Sequence, residues 1–490
     1  MVEVNGHLPK GLRSIQDHVN MFFVAACASV GSFALGYDDG WGSPAGPSIR
    51  DDLSVNATAT DIDWIVSGIP IGSTIGAVLA FVSTNYVGRR GTMLLISPFY
   101  ILAHLLTVLT TSPTQIFIGR ILTGMVDIST TMASQIYTSE IATPELRGAV
   151  SSLPSVALAL GVLVCYVIGA FVDWRVLTLC QLAFPIAYLS MWFHPESPVW
   201  LLKKGRVDDA QKALKRLRGQ DTDISEELFR IKENCDREAA KPKFHIREIL
   251  VPLFFHPVLL VVPLVFLQMF SGYGAVVYNS VTILEGNSPI DVGIATIILA
   301  LCLVVAVLIV SIFIDSLGRK ALMLTSGLII KISLLALGTY FYLRDTYGPE
   351  SVEHISWLPF ASLVVFYTSY AGGYSSVPYI MLAELSPVRY RDIMGSIGYF
   401  SSNLLIFVVV RTFPELQKSI GDHGAFWLYA CILAVGAVFV IVFIPETKGK
   451  TLEDIEYFFK KSPDQELELD LVDKKGIDNP VCLNVFSTDN

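Results

Sequence analysis

Four ionisable residues sit where an otherwise apolar chain should hold none. Asp38 and Asp39 end the first long apolar stretch in "LGYDDGWGSP", Arg120 opens the fourth, and Asp127 follows Arg120 by seven residues on the same helical face. A carboxyl group facing a guanidinium in a dry setting can load and release a proton if the cation's attraction and the desolvation penalty nearly cancel. Charges inside a span are costly and default to functional hypotheses, which singles out Asp38, Arg120 and Asp127. A second reading stays open, in which Asp38 and Asp39 stand in outside water and Arg120 braces neighbouring helices. His104, Lys331 and Arg411 read as side chains that snorkel to helix ends or to an aqueous cleft.

A second set of charges lies in short polar segments. Gly88-Arg89-Arg90 recurs as Gly318-Arg319-Lys320, "SEIATPELRG" as "AELSPVRYRD", and "PESPVWLL" as "PETKGKTL", each pair separated by roughly 230 to 250 residues. These place carboxylates (Glu140, Glu384) and cations (Arg89, Arg90, Arg147, Arg319, Lys320, Arg391) at helix ends, where water is partly excluded and an ion pair is harder to break than an exposed one. They also serve as topology signals, since basic residues concentrate on the cytosolic side of membrane proteins. No Walker A sequence, nucleophile elbow or metal-ligand spacing is present, so no enzyme, cofactor or metal is expected. Cys27, Cys165, Cys180, Cys302 and Cys431 fall in apolar runs and Cys235 and Cys482 in polar ones, which implies no disulfide framework.

These residues are positioned by a membrane protein. The chain has 490 residues, 52% hydrophobic and 16% charged, with a mean hydropathy of +0.55. Apolar runs long enough to cross a ~30 Å hydrocarbon core fall near 19–37, 64–84, 92–111, 114–137, 149–172 and 174–194, then near 254–283, 290–314, 320–343, 357–383, 393–413 and 423–444. Residues 195–250 form the long polar gap between the two sets, and within it Ala210, Leu214 and Leu217 share one helical face. The basic loops all fall on one side, which places both termini in the cytosol of a multi-pass plasma-membrane protein. The opposite side holds the sequon Asn56-Ala57-Thr58, a glycosylation candidate. The net charge of −9 argues against nucleic acid.

The three repeated motif pairs indicate an internal duplication of six spans, the architecture of a two-bundle transporter that rocks around a midplane site. With "GRILTG", "QMFSGYGAVVY" and "PETKGKTLEDIE", they make the chain resemble the sugar-porter family of the major facilitator superfamily, and within it the insect facilitated trehalose and glucose transporters, over about residues 20–460. The resemblance implies an all-α membrane protein with the major facilitator fold, twelve transmembrane helices in two six-helix bundles. Residues 1–194 would be the N-terminal bundle, 195–250 a cytosolic loop with short amphipathic helices, 251–446 the C-terminal bundle and 447–490 a cytosolic acidic tail. It implies a sugar or related small organic solute as partner, moved through the lipid bilayer by alternating access, facilitative or proton-coupled. It also implies that the repeated charge pairs latch the cytosolic gate, and that Asp38 faces Arg120 and carries the proton in a coupled member, which makes Asp38, Arg120 and Asp127 the proton-coupling candidates.

The polar residues that hold sugar hydroxyls in that family are mostly replaced here. By position they fall on Ser155, on Gln268-Met269, on Gly274, near Leu303, and on Ala371, Tyr379 and Ser402-Asn403. Gln268, Met269, Gly274, Tyr278, Tyr379, Asn403 and Ser155 are thus the candidate substrate-binding positions. Unpaired buried hydroxyls cost about 1–3 kcal/mol each. Either the solute is less polar than a hexose, or the sugar is held through waters, tyrosines, Gln268 and Asn403. A non-transporting sensor on the same fold, signalling through the acidic tail, is the rival from another class.

Overall fold

The computed structural model describes residues 20–143, 146–219, 222–240, 252–313, 318–387 and 390–448. The acidic tail segment "PDQELELDLVDKK" lies outside the described residues. Among the described residues every regular element is a helix. The first half holds α1 (Asn20–Asp51), α2 (Ala59–Tyr86), α3 (Arg89–Leu109), α4 (Pro113–Ile141), α5 (Arg147–Gly169) and α6 (Trp174–Phe193). The connection carries α7 (Pro198–Lys203), α8 (Val207–Arg218) and α9 (Ser225–Ala239). Ala210, Leu214 and Leu217 are buried along one face of α8, as their spacing predicts.

The second half opens with one crossing in three pieces, α10 (Pro252–Met269), α11 (Tyr273–Tyr278) and α12 (Ser280–Leu284). It continues through α13 (Val292–Phe313), α14 (Arg319–Tyr347), α15 (Leu358–Ser369), α16 (Val377–Leu385) and α17 (Arg391–Phe443). Ten stretches are long and apolar enough to span a membrane on their own. α17, with 53 residues, contains two crossings that meet at Gly421, whose φ of 76° is not helical. At ~1.5 Å per residue it is far too long for one. The remaining crossing is split between α15 and α16 by the π-helical turn Tyr370–Tyr374. Twelve crossings result.

The breaks at Gly272 (φ 87°) and at Tyr370–Tyr374 both fall within second-half spans. Interrupted helices are tolerated at membrane depth only where protein or a water-filled cavity satisfies the freed backbone groups. They therefore mark where a site can form.

The first span departs from expectation. The stretch "DDGWGSPAGPSIRDD" reads as a loop, yet it continues α1 as helix to Asp51, with Pro44 and Pro47 inside. Its small residues serve close packing rather than turning. A Cβ on Gly36 would lie 1.9 Å from the carbonyl oxygen of Leu158, and one on Gly161 would lie 2.1 Å from that of Phe33, so α1 and α5 approach backbone to backbone. Asp38 and Asp39 consequently sit mid-helix and not at the end of the span.

The two halves meet mainly toward the end away from the Gly88 and Gly318 loops. Ser43 Oγ accepts from the Val281 N–H at 2.9 Å, Tyr166 donates to the carbonyl of Val277 at 2.9 Å, and Lys418 lies 3.7 Å from Asp63. Nearer the basic end, Tyr399 donates to Gln135 at 2.8 Å.

Candidate functional site

Asp38 is fully buried, and three donors from three helices converge on its carboxyl group. Arg120 Nη1 reaches Oδ1 at 2.5 Å, Gln181 Nε2 reaches the same oxygen at 2.8 Å, and the Tyr100 hydroxyl reaches Oδ2 at 3.3 Å. Arg120 also donates to the Asp38 carbonyl at 3.1 Å and lies 3.9 Å over the Trp41 ring. The Trp41 indole N–H is in turn held by Thr178 at 2.9 Å. This arrangement removes the reading in which Asp38 stands in outside water. Close approach of α2 and α4 helps place Arg120, because Cβ atoms on Gly72 and Gly124 would strike the carbonyls of Ile121 and Ile69.

His104 also departs from expectation. It does not snorkel: it is 1% exposed, stacked on Tyr100, with Nε2 3.9 Å from Asp38 Oδ2. Its Nδ1 lies 2.9 Å from the Tyr100 carbonyl, which can only accept, so Nδ1 carries the hydrogen. Asp127, on the same side of α4 as Arg120, is fully buried beside Asp38. Asp39 turns the other way, toward the second half, where the Tyr278 hydroxyl donates to it at 2.6 Å.

Around that junction the second half presents aromatic rings. Tyr273 and Tyr370 stack with centroids 3.9 Å apart, and Tyr379 stacks on Tyr399 at 5.1 Å. Gln268 is buried, donates to the carbonyl of Ser375 at 2.9 Å and has Tyr370 as a neighbour. Its Oε1 has no hydrogen-bond partner, an amide oxygen available to a hydroxyl. Asn403 spends its N–H on the carbonyl of Tyr399 at 2.8 Å. Met269, Leu303 and Ala371 are buried. A Cβ on Gly274 would meet Ile406 at 3.1 Å and Val410 at 3.2 Å, so that position packs against α17. Ser155 is exposed on α5. Of these, Tyr278 touches the first half through Asp39, and Tyr379 stacks on Tyr399, which donates to Gln135 of the first half.

The repeated charge motifs form matching clusters, each inside its own half. In the first, Arg89 Nη2 meets Glu140 at 2.7 Å, and the Ser197 hydroxyl donates to the other Glu140 oxygen at 2.5 Å. In the second, Arg319 meets Glu384 at 3.2 Å. Arg90 donates to the carbonyls of Met191 and Trp192, and Lys320 to that of Ile441. Arg147 is exposed at the start of α5, and the side chain of Arg391 lies outside the described residues.

Sequence reasoning passed over the centre of each cluster. Glu196 accepts from the N–H groups of Arg89, Arg90 and Gly91 at 3.1 Å, and Glu446 accepts from those of Arg319 and Lys320 at 3.0 and 3.1 Å. Each carboxylate thus caps the exposed N–H groups at the positive end of a spanning helix, α3 or α14. Gly88 (φ 100°) has to lack a Cβ, which would lie 2.4 Å from Glu196 Oε2. Partial burial pushes the Glu446 carboxyl up, but the backbone N–H groups of Lys448, Arg319, Lys320 and Thr447 more than offset this, so its pKa falls below the usual value. The signal was available in the repeated Pro-Glu-Ser/Thr of "PES" and "PET". Asn56 is exposed with φ 48° in the short α1–α2 loop, and Thr58 caps α2.

Residues 24–459 match the family described as Sugar (and other) transporter. The chain is 34% identical over 437 residues to the Facilitated trehalose transporter Tret1 of Culex quinquefasciatus, covering 88% of this chain and 84% of that protein. It is 33% identical over 452 residues to the protein of the same name from Apis mellifera ligustica, covering 91% and 89%. Among solved structures, the inward open conformation of the xylose transporter XylE from E. coli aligns with a TM-score of 0.74 at 23% identity, covering 89% of this chain and 99% of that one. The same protein is described elsewhere as a proton:xylose symporter of the major facilitator superfamily. The architecture is the major facilitator fold.

Proposed function

Because the chain belongs to the sugar (and other) transporter family, we propose that it moves a sugar across the plasma membrane by alternating access, with Asp38 and Arg120 coupling the movement to protons. It is a transporter and not an enzyme. The observation that carries the coupling is the fully buried Asp38–Arg120 pair at 2.5 Å, which joins the middle of α1 to the first part of α4. Breaking such a pair leaves a buried charge that a proton can neutralise. The xylose symporter shares the fold and is named for proton coupling.

The solute sits between Gln268, Tyr278, Tyr379, Asn403 and the face of α1 bearing Asp39. Stacked rings suit the apolar faces of a sugar, while the free Gln268 oxygen and the tyrosine hydroxyls take its hydroxyl groups. The relatives' names favour a disaccharide such as trehalose. The clusters around Arg89–Glu140 and Arg319–Glu384 stiffen the cytosolic end of each half, so that the halves move as rigid bodies. Both termini are cytosolic and Asn56 faces outside.

A facilitative reading has its own support. Relatives carry the name facilitated transporter, and Gln181 and Tyr100 join Arg120 in fixing Asp38. Uptake of labelled trehalose, glucose and xylose into proteoliposomes, with and without a pH gradient, tests both readings. Saturable uptake of at least one sugar supports transport, and uptake of none overturns it.

A further inference from the structure

Neither oxygen of Asp127 has a hydrogen-bond partner, although the residue is completely buried. An ionised carboxylate that no protein donor meets is strongly unfavourable in such a place. Asp127 nevertheless faces α1 next to Asp38, because the contacts of α4 with α1 lie on either side of it, Thr131 donating to the carbonyl of Gly31 and Arg120 to Asp38. Two ionised carboxylates in contact repel and have no donor between them. With one proton between them the contact becomes a charge-assisted O–H···O bond.

The charge balance requires the same proton. Arg120 neutralises one carboxylate, and it is Asp38 that it touches. The other titratable groups nearby do not supply a second cation in contact. On α1, Tyr37 donates to the carbonyl of Leu177, and Asp39 is bound to Tyr278. On α3, Tyr100 donates to Asp38, and His104 Nε2, a bare acceptor in the neutral ring, stays 3.9 Å away. Cys165 on α5 and Cys180 and Tyr188 on α6 carry no positive charge in either of their protonation states. α2 faces this part of α4 with Gly68, Gly72 and Gly76.

We propose that Asp127 holds a proton and donates it to Asp38, so that the proton-binding unit of this chain is a carboxyl pair with one shared proton rather than Asp38 alone. The shared proton does not depend on the coupling reading above; its consequence for transport rests on it. When Arg120 withdraws, the pair takes one further proton from water onto Asp38 and becomes neutral. When the ion pair re-forms, that proton returns to water and the shared one stays.

Infrared difference spectroscopy of the full chain in proteoliposomes near neutral pH tests the pair through the carbonyl stretch of a protonated, slowly exchanging carboxylic acid. The wild type should show this band, and Asp127→Asn should lose it. Asp38→Asn should lose it too, because Arg120 then takes Asp127 as its counter-ion. Asp127→Glu keeps a carboxyl group and should keep a shifted band, which guards against a misfolded Asn variant. Asp223→Asn, on an exposed loop, should leave the band unchanged. A band that survives in Asp127→Asn, persists unchanged in Asp38→Asn, or is missing from the wild type overturns the proposal. A wild type with the band but with uptake indifferent to pH overturns the coupling reading and leaves the pair standing.

Discussion

The Tyr278 hydroxyl and the Asp39 carboxylate share a 2.6 Å hydrogen bond that joins α11 of the second half to the middle of α1 in the first. With the neighbouring contact between Ser43 and Val281, it holds the two halves together toward the end away from the Gly88 and Gly318 loops, which the proposed orientation places outside. A transporter that opens outward has to break it in every cycle.

Tyr278→Phe should therefore favour the outward-open state. A net hydrogen bond contributes about 0.5–1.5 kcal/mol, and more with a charged acceptor, so the population should shift by several-fold. A cysteine placed at Ser280, in a background lacking the native cysteines, should react correspondingly faster with a membrane-impermeant thiol reagent. An unchanged labelling rate would contradict a gating role for this bond.

The Glu446 cap predicts a pH-dependent stability difference. Because its folded pKa is depressed below the ordinary 4.5, its stabilisation is present above that value and lost as the pH falls through the lower folded value. Glu446→Gln should lower thermal stability in detergent at pH 7 by about 1 kcal/mol, as loss of a helix cap does. The gap between variant and wild type should narrow as the pH falls below 4.5 and close once it has passed the lower folded value. A gap that stays constant on acidification would show that the carboxylate charge is not what stabilises the end of α14.

Gly274 sets a condition on rebuilding the sugar site. The sequence suggests that Met269→Gln with Gly274→Asn would restore polar partners, but the first side-chain atom at position 274 already crowds Ile406 and Val410. Gly274→Asn alone should destabilise by about 1–3 kcal/mol, the usual range for overpacking. Adding Ile406→Ala should recover much of that loss and let the amide raise glucose affinity. Melting temperature and glucose Kd measured on the three variants separate the effects. If Gly274→Asn is as stable as the wild type, the side chain has another exit and the packing argument is wrong.

The ion pair of the first half carries its own expectation. Glu140→Gln leaves the buried Arg89 guanidinium with the carbonyl of Thr84 and removes its counter-charge, which should slow uptake several-fold at normal surface expression. Uptake equal to wild type at equal expression would reduce the motif to a topology signal.

The duplicated motifs made the twelve-span plan legible, because apolar runs and basic loops follow directly from the bilayer's dimensions and charge bias. The path of α1 was not legible. Glycine, serine and proline from Gly40 to Pro47 are turn formers by local propensity, and their packing against α5, α2 and Tyr278 keeps them helical, a tertiary effect absent from any window of sequence. The same applies to His104, whose neighbour Asp38 lies on another helix. The pairing of Arg120 with Asp38 was an expectation of the family resemblance, since residue types alone left Arg120 equally free to brace helices beside exposed aspartates. The burial of Asp127 was legible from helical phase, but its lack of partners was not. The role of Glu196 and Glu446 was missed because a carboxylate after a span looks like a loop charge until the helix it caps is placed beside it.

The central claim is that Asp38 couples sugar movement to protons. Wild type and Asp38→Asn, reconstituted in proteoliposomes with an inward proton gradient, should differ in one respect. The wild type should accumulate labelled sugar above equilibrium, and Asp38→Asn should lose accumulation while keeping downhill exchange. Accumulation that persists in Asp38→Asn, or wild-type uptake that ignores the gradient, would contradict it.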